Sequence, residues 1–446
     1  MSSATGSILK RHWFSARAQE LWSDRRTLQG WLDVEAALAQ AQAGLGIIPK
    51  DAAREIAAKA RVELIDAEAL ARDIAAVQHP FMPLIRQFAA ICEGDAGGYL
   101  HWGVTTANIT NTGAMLQLLE SHEIVLATLA EIDEVLATLA RRYRDTPMAG
   151  RTHGQHALPI TFGFKLVSWL AELRRHVERL RGCAPRVFVA SLGGGVGTMA
   201  ALGVQGLELQ ERMAGLLGLG TPEIPVRTAF DRVAEYLLLL SLLATTIERI
   251  AQEIMFLQRT EIGEAAEPAE AAHVGSTTMP QKQNPARCMN IIGLTRLLRG
   301  MMPLANEAML RSNEADASAG NVGDALLPDA ATMAISVTEA LRDVLAGLWV
   351  DPAAMQRNLD LSAGLIVGEA VMMKLAPQLG RQTAHEVVHA AATRSRQTGT
   401  PFRQELLADP VARGLHGAID WDALLDPRAY TGLSAHFVDV LTGSGT

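Results

Sequence analysis

Residues 275–285 read Gly275-Ser276-Thr277-Thr278-Met279-Pro280-Gln281-Lys282-Gln283-Asn284-Pro285, after a soft, acidic, Ala-rich lead from Gly263 to Val274. Gly275, Pro280 and Pro285 keep either a helix or a strand from running through the segment, so it reads as a loop. Its side chains offer three hydroxyls, an ammonium at Lys282 and an amide at Asn284. That set suits gripping a carboxylate while a hydroxyl acts on the carbon beside it. A plain surface turn between helices is the competing reading.

Around this loop the composition favours helix. Of 446 residues, 49% are hydrophobic but only 5% aromatic. An excess of Ala and Leu points away from sheet. A formal net charge of −8 speaks against a nucleic-acid partner. Cys92, Cys183 and Cys288 are too few and too scattered for a disulfide framework, which suits a reducing cytosol. Met1 to Phe14 contains no apolar signal core, and the longest greasy run, Tyr236 to Ile247, is too short to span a bilayer. The expectation is a cytoplasmic protein with no membrane partner.

Leu28, Trp31, Leu32 and Ala36 recur at helical spacing between Thr27 and Gly46, and Asp51 is placed to cap the helix that follows. Thr112 to Asp145 holds one early Gly and no Pro, enough for a helix on the order of 50 Å. Pro225 to Ile262 predicts a second long helix running toward the loop 275–285. Pro285 starts a third, interrupted at Pro303, and Leu326 to Leu348 supplies another. Helices of this length without linkers belong to a bundle. From Val350-Asp351-Pro352 onward the turns are denser, as in a separate small domain. The boundaries are then 1–107, 108–352 and 353–446.

Three polar patches complete the pattern. Gln78-His79-Pro80 comes first, then His101-Trp102-Gly103-Val104-Thr105-Thr106-Ala107-Asn108. Either His alone is more often structural than catalytic, and hydroxyls beside a Gly are often a helix cap, here for a helix starting near Asn111. The functional reading has Thr105 and Thr106 donating to a substrate carboxylate, with the polarity of a helix N-terminus behind them. The third patch is Arg151-Thr152-His153-Gly154-Gln155-His156, in which a His in a tight turn is a ready proton donor near neutral pH.

The loop 275–285 resembles the signature of the fumarase/aspartase superfamily, Gly-Ser-Ser-x-Met-Pro-x-Lys-x-Asn-Pro, departing only at Thr277. Thr152-His153-Gly154-Gln155 resembles the corresponding segment of adenylosuccinate lyases. Trp22-Ser23-Asp24, Leu32 to Glu35 and Thr161 to Leu170 are closer to 3-carboxy-cis,cis-muconate cycloisomerases. The resemblance covers nearly the whole chain. It implies an all-α, three-domain subunit whose long helices pool into the core of a homotetramer, with active sites shared between subunits. It also implies a small polycarboxylate substrate and no cofactor. Ser276 is then the base and His153 the proton donor, while Lys282 and Asn284 hold the charge that flows into the substrate carboxylate as an aci-form. Thr105, Thr106, Thr152, His79, His101 and Gln155 line the substrate.

Two motifs compete with this assignment. Gly195-Val196-Gly197-Thr198-Met199-Ala200 follows the strand-like Arg186 to Ala190 and fits a dinucleotide fingerprint, but long helical stretches flank it and no βαβ rhythm appears. His385-Glu386-Val387-Val388-His389 spells a zinc-protease motif without an obvious third ligand, so no metal is expected.

The departures bear on substrate. Met289 stands where lyases of the family commonly carry the Glu that orients the His. Trp13-Phe14 replaces an Arg-Tyr pair that purine-acting members use on phosphate. Phe230 and Asp324 stand at two positions where Arg is expected. Missing cations argue against a nucleotide. The favoured reading is C–N cleavage of an amino-polycarboxylate adduct with fumarate release. A lactonising cycloisomerase is second, and a crystallin-like structural protein on the same scaffold is a third.

Overall fold

The computed structural model describes residues 10, 12–269, 278–279, 281–415 and 417–443. The chain is helical nearly throughout. Helix α1 (Asp24–Gly44) is capped by Ser23, whose hydroxyl accepts from the Arg26 backbone N–H. The next helix, Lys50–Lys59, starts at Pro49 without a side-chain cap. Asp51 sits inside its first turn and pairs with Arg54 instead of capping.

The long helices are α2 (Thr106–Arg142), α3 (Phe162–Val187), α4 (Asp231–Leu257), α5 (Ala286–Glu307) and α6 (Ala317–Ala346). Four of these helices differ from the sequence expectation. Helix α2 begins six residues before Thr112, because Thr105 and Asn108 cap it. Residues 225–230 stay outside α4. Helix α5 continues through Pro303, which lies on its exposed side, and α6 starts at Ala317, nine residues before Leu326, and runs through Pro328. In α6 the residues Leu326, Leu327, Ala330, Met333, Ile335 and Val337 are all buried, so this helix is enclosed on several sides rather than along one stripe.

Two short sheets among the described residues depart from the all-helical pattern: Ala265–Ala266 pairs antiparallel with Trp349–Val350, and the larger is a hairpin. Strands β1 (Pro147–Thr152) and β2 (Gln155–Thr161) form an antiparallel hairpin in which Thr152 faces Gln155 and Arg151 faces His156. The register shifts at Gly150, where a Cβ would lie 2.7 Å from the Leu158 carbonyl oxygen. The stretch read as strand-like, Arg186 to Ala190, is instead the end of α3 followed by a single bridge from Val189 to Gly220.

The chain gathers into two compact units. The first comprises residues 1–129, 175–247 and 290–340, and its core includes Leu32, Phe81, Phe88, Ile109 and Tyr236. The second comprises 130–174, 248–289 and 341–446. In it Ala149 of β1 packs with Leu359, Ile366, Val367 and Ala370, which seats the hairpin on the C-terminal helices. A neighbouring core forms around Phe402, Leu406 and Trp421.

Candidate active site

In the second unit His153 and Gly154 are the two residues of the hairpin turn, with φ of 52° and 76°. Both central residues at positive φ is the arrangement that matches the twist of the flanking strands. His153 is therefore carried exposed at the tip, with Thr152 and Gln155 on either side. The base of the tip is rigid. Arg151 donates two bonds, 2.6 and 2.9 Å, to the carboxylate of Glu264, which is 0% exposed. Asn358 donates a further bond of 2.8 Å to the same carboxylate. The Arg151 guanidinium also lies over the ring of Phe256. Neither Arg151 nor Glu264 was singled out from the sequence. The second belongs to the acidic lead before the signature loop, which read as soft but is the anchor of the hairpin. His156, facing Arg151, has its pKa lowered by burial first and by Arg151 second, with Glu264 opposing.

Ser276 and Thr277 lie outside the described residues. Of the signature loop, Lys282 and Asn284 are placed at the surface just before α5. The Lys282 N–H donates to the Met279 carbonyl, and among the described residues no carboxylate pairs with its ammonium. Gln258 of the turn after α4 donates to the Gln283 carbonyl and accepts from the Glu267 N–H, tying the loop to the α4 end. Glu267 in turn accepts from the backbone N–H groups of Arg287 and Cys288 at 3.1 and 2.9 Å. The first turn of α5 is thus already satisfied by a protein carboxylate. Met289 is 53% exposed in the same turn and has no group that could orient an imidazole.

In the first unit Thr105 and Asn108 form a reciprocal cap on α2. The Asn108 N–H donates to the Thr105 carbonyl, and the Asn108 side chain accepts from the Thr105 N–H at 3.1 Å. Asn108 is fully buried and also accepts from Gly194 N–H. The glycine-rich stretch around 195 is therefore a loop packed on the start of α2. The hydroxyls of Thr105 and Thr106 are half-exposed and make no hydrogen bond among the described residues, so both stay available beside a helix N-terminus.

His101 has a φ of 56° and is locked by Glu35, whose carboxylate takes the His101 backbone N–H at 3.1 Å and its ring Nδ1 at 2.7 Å. Glu35 is 1% exposed, so the pair holds the ring in one orientation with Nε2 turned away from the carboxylate. His79 accepts from the Met82 N–H through Nδ1 and so caps the helix Phe81–Ile91, whose Phe81 ring lies 5.2 Å from the His101 ring. Thr105, Thr106, His79 and His101 belong to the first unit, and Thr152, His153, Gln155, Lys282 and Asn284 to the second.

A pocket in the first unit is lined by Asn111 and Met115 of α2, Ser191, Phe230 and Asp324. It also holds three arginines, Arg227, Arg232 and Arg311, that the count of missing cations overlooked. The cations absent at 230 and 324 are replaced in number, though not in position. His385 and His389 stack with ring centroids 5.9 Å apart, and among the described residues no group of three His, Cys, Asp or Glu side chains is placed to hold a metal.

The profile of the Lyase family matches residues 15–300. The chain belongs to the fumarase/aspartase superfamily of lyases. The Adenylosuccinate lyase C-terminus profile matches residues 364–441 of this lyase. It is 38% identical over 432 residues to an N-acetyl-S-(2-succino)cysteine lyase from Enterococcus italicus, covering 97% of this chain and 95% of that protein. A fumarate lyase from Mesorhizobium sp. BNC1 superposes on it with a TM-score of 0.90 at 38% identity, covering 97% of this chain and 99% of that one. The 3-carboxy-cis,cis-muconate lactonizing enzyme from Pseudomonas putida superposes with a TM-score of 0.91 at 33% identity, covering 98% of each. The lyase is an all-α enzyme, and among its described residues no helix is long and apolar enough to cross a membrane.

Proposed function

We propose that this lyase performs an anti β-elimination on a small, non-nucleotide succinyl adduct and releases fumarate. The C–H bond beside one carboxylate and the bond from carbon to the leaving heteroatom break, a C=C bond forms, and the leaving group departs protonated. Ser276 removes the carbon-bound proton, Lys282 and Asn284 take up charge on the aci-carboxylate, and His153 protonates the leaving atom. Thr105 and Thr106 hold a substrate carboxylate, with His79, His101, Thr152 and Gln155 around it.

The observation that carries this reading is the placement of His153. A proton donor exposed at a two-residue turn, on a hairpin whose base is fixed by a buried ion pair, is positioned to act on a bound molecule rather than to hold the fold together. Met289 has no group that could orient the His153 ring, and the ion pair of Arg151 with Glu264 fixes the strand that carries it. The leaving atom in the favoured reading is nitrogen. A relative that acts on a succinyl thioether makes sulfur the second candidate, and the same elimination serves both.

Exposed apolar residues on two long helices support active sites completed by neighbouring copies. Leu238 and Leu242 on α4 and Leu297 and Leu304 on α5 are exposed at helical spacing, as residues covered by a partner helix would be. The assembly we propose is a homotetramer, with subunit segments 1–107, 108–352 and 353–446. Ser276→Ala should abolish fumarate release from a panel of N- and S-succinyl adducts while folding and assembly stay intact. A near-normal rate refutes the assignment.

A further inference from the structure

The pocket of the first unit gathers three guanidinium groups around a single lining carboxylate, that of Asp324. Arg311 is held by its own backbone surroundings: Nε donates to the Ala308 carbonyl at 3.0 Å and Nη1 to the Arg227 carbonyl at 2.8 Å. Its guanidinium lies 4.8 Å from the centroid of the Phe230 ring. Arg227 donates through Nη1 to the Gly195 carbonyl at 2.9 Å, and its Nε is buried with no partner. The guanidinium of Arg232, on the first turn of α4, makes no hydrogen bond among the described residues. No carboxylate forms an ion pair with any of the three among those residues, although surface arginines elsewhere, such as Arg144 and Arg186, are paired. A buried guanidinium N–H without an acceptor is costly to keep, and so the arrangement calls for an external acceptor.

The electrostatics agree. Burial lowers the pKa of Arg311, with Asp324 opposing and the like charge of Arg227 lowering it further. Burial likewise lowers that of Arg232, opposed only by Asp231. The walls decide what kind of anion fits. Met115, Val189, Phe230 and Leu327 give the pocket apolar walls beside its polar groups, and Gly323 leaves room beside Arg311, where a Cβ would sit 3.1 Å from the Phe230 ring. Asp324, exposed in the same lining, adds a negative charge that disfavours a phosphate dianion more than a single carboxylate.

We propose that Arg227 and Arg311, with Arg232, bind a carboxylate on the leaving-group side of the substrate, so that the adduct carries a third carboxylate on a compact, partly apolar body. Thr105 and Thr106 would grip the succinyl part from the same unit, because Ser191 of the pocket is bonded to both Asn108 and Thr112 of α2. The assignment of this anion to a leaving group rests on the lyase reading, whereas the anion site itself does not.

The test separates the two. N-acetyl-L-methionine, N-acetyl-L-methioninamide and AMP are titrated into the full-length protein by calorimetry, beside R227Q and R311Q variants whose folding is checked by thermal denaturation. The expected result is binding of the acid at least about tenfold tighter than the amide or AMP, with that preference lost in either folded variant. Where a succinyl adduct turns over, the acid form of the leaving group should be favoured by a similar factor in kcat/KM. Equal binding of acid and amide, tighter binding of AMP, no detectable acid binding, or full acid affinity in a folded R311Q overturns the proposal. Failure of every adduct to release fumarate sinks the lyase reading but leaves the acid-over-amide preference standing.

Discussion

Glu264→Gln is the substitution that probes the hairpin most sharply, because it removes one charge while keeping size and shape. The wild-type carboxylate is 0% exposed and takes two bonds from Arg151 and one from Asn358. Arg151 is itself only 11% exposed, so water cannot replace the lost partner. Removing one member of a buried ion pair costs about 3–5 kcal/mol; the amide oxygen of Gln keeps one bond, which places the loss near the low end, about 3 kcal/mol. His153 lies two residues beyond Arg151, and Arg151 faces His156 across the hairpin, so the loosening reaches the turn directly. Urea denaturation should show the loss of stability, and hydrogen exchange should rise across residues 147–161. Turnover of a productive adduct should fall at least about tenfold through kcat, with KM little changed, because a 1 Å misplacement of a proton donor costs rate rather than affinity. If E264Q unfolds within about 0.5 kcal/mol of the parent and its hairpin exchanges no faster, the ion pair does not hold the turn and the reasoning fails.

Other expectations follow from the same geometry. Gly150→Ala drives a Cβ to 2.7 Å from the Leu158 carbonyl oxygen and 3.0 Å from Ile160 Cγ2, and should destabilise the protein by about 1–3 kcal/mol in thermal or urea denaturation. Glu35→Gln should cost about 1–3 kcal/mol and, if His101 touches substrate, raise KM several-fold; an unchanged KM removes His101 from the site. His122 is kept neutral in the fold: burial, then Arg181, pushes its pKa down to about 4 from 6.5. The unfolded chain therefore binds the proton first as pH falls. The stability from this group is intact above about pH 6.5 and declines down to about pH 4, by on the order of 2–3 kcal/mol. His122→Asn should flatten that part of the stability curve, measured by denaturation across pH.

The long helices could be read from the sequence because Ala, Leu and the absence of Gly or Pro state them locally. Their ends were less legible. The start of α2 depended on Asn108 reaching back to Thr105, and residues 225–230 stayed out of α4 although no local breaker forced them to. The hairpin was seen only as a break, since Pro147 to Thr152 lacks the β-branched alternation that marks a strand; the turn residues His153-Gly154 were its signal. Candidate residues carried by compact motifs, such as Thr105, His153 and Lys282, were found that way. Arg151 with Glu264, His101 with Glu35, and Arg227 with Arg311 were not paired, because each partnership joins positions 66 to 113 residues apart, or 84 apart for the last. Tertiary packing alone brings them together.

The account turns on whether this protein releases fumarate. Purified full-length enzyme should be given N- and S-succinyl adducts and, separately, 3-carboxy-cis,cis-muconate, with absorbance followed in both cases. Growth of fumarate absorbance from at least one adduct, with the muconate untouched, is the predicted result. Consumption of the muconate without fumarate from any adduct would contradict it and make the chain a cycloisomerase.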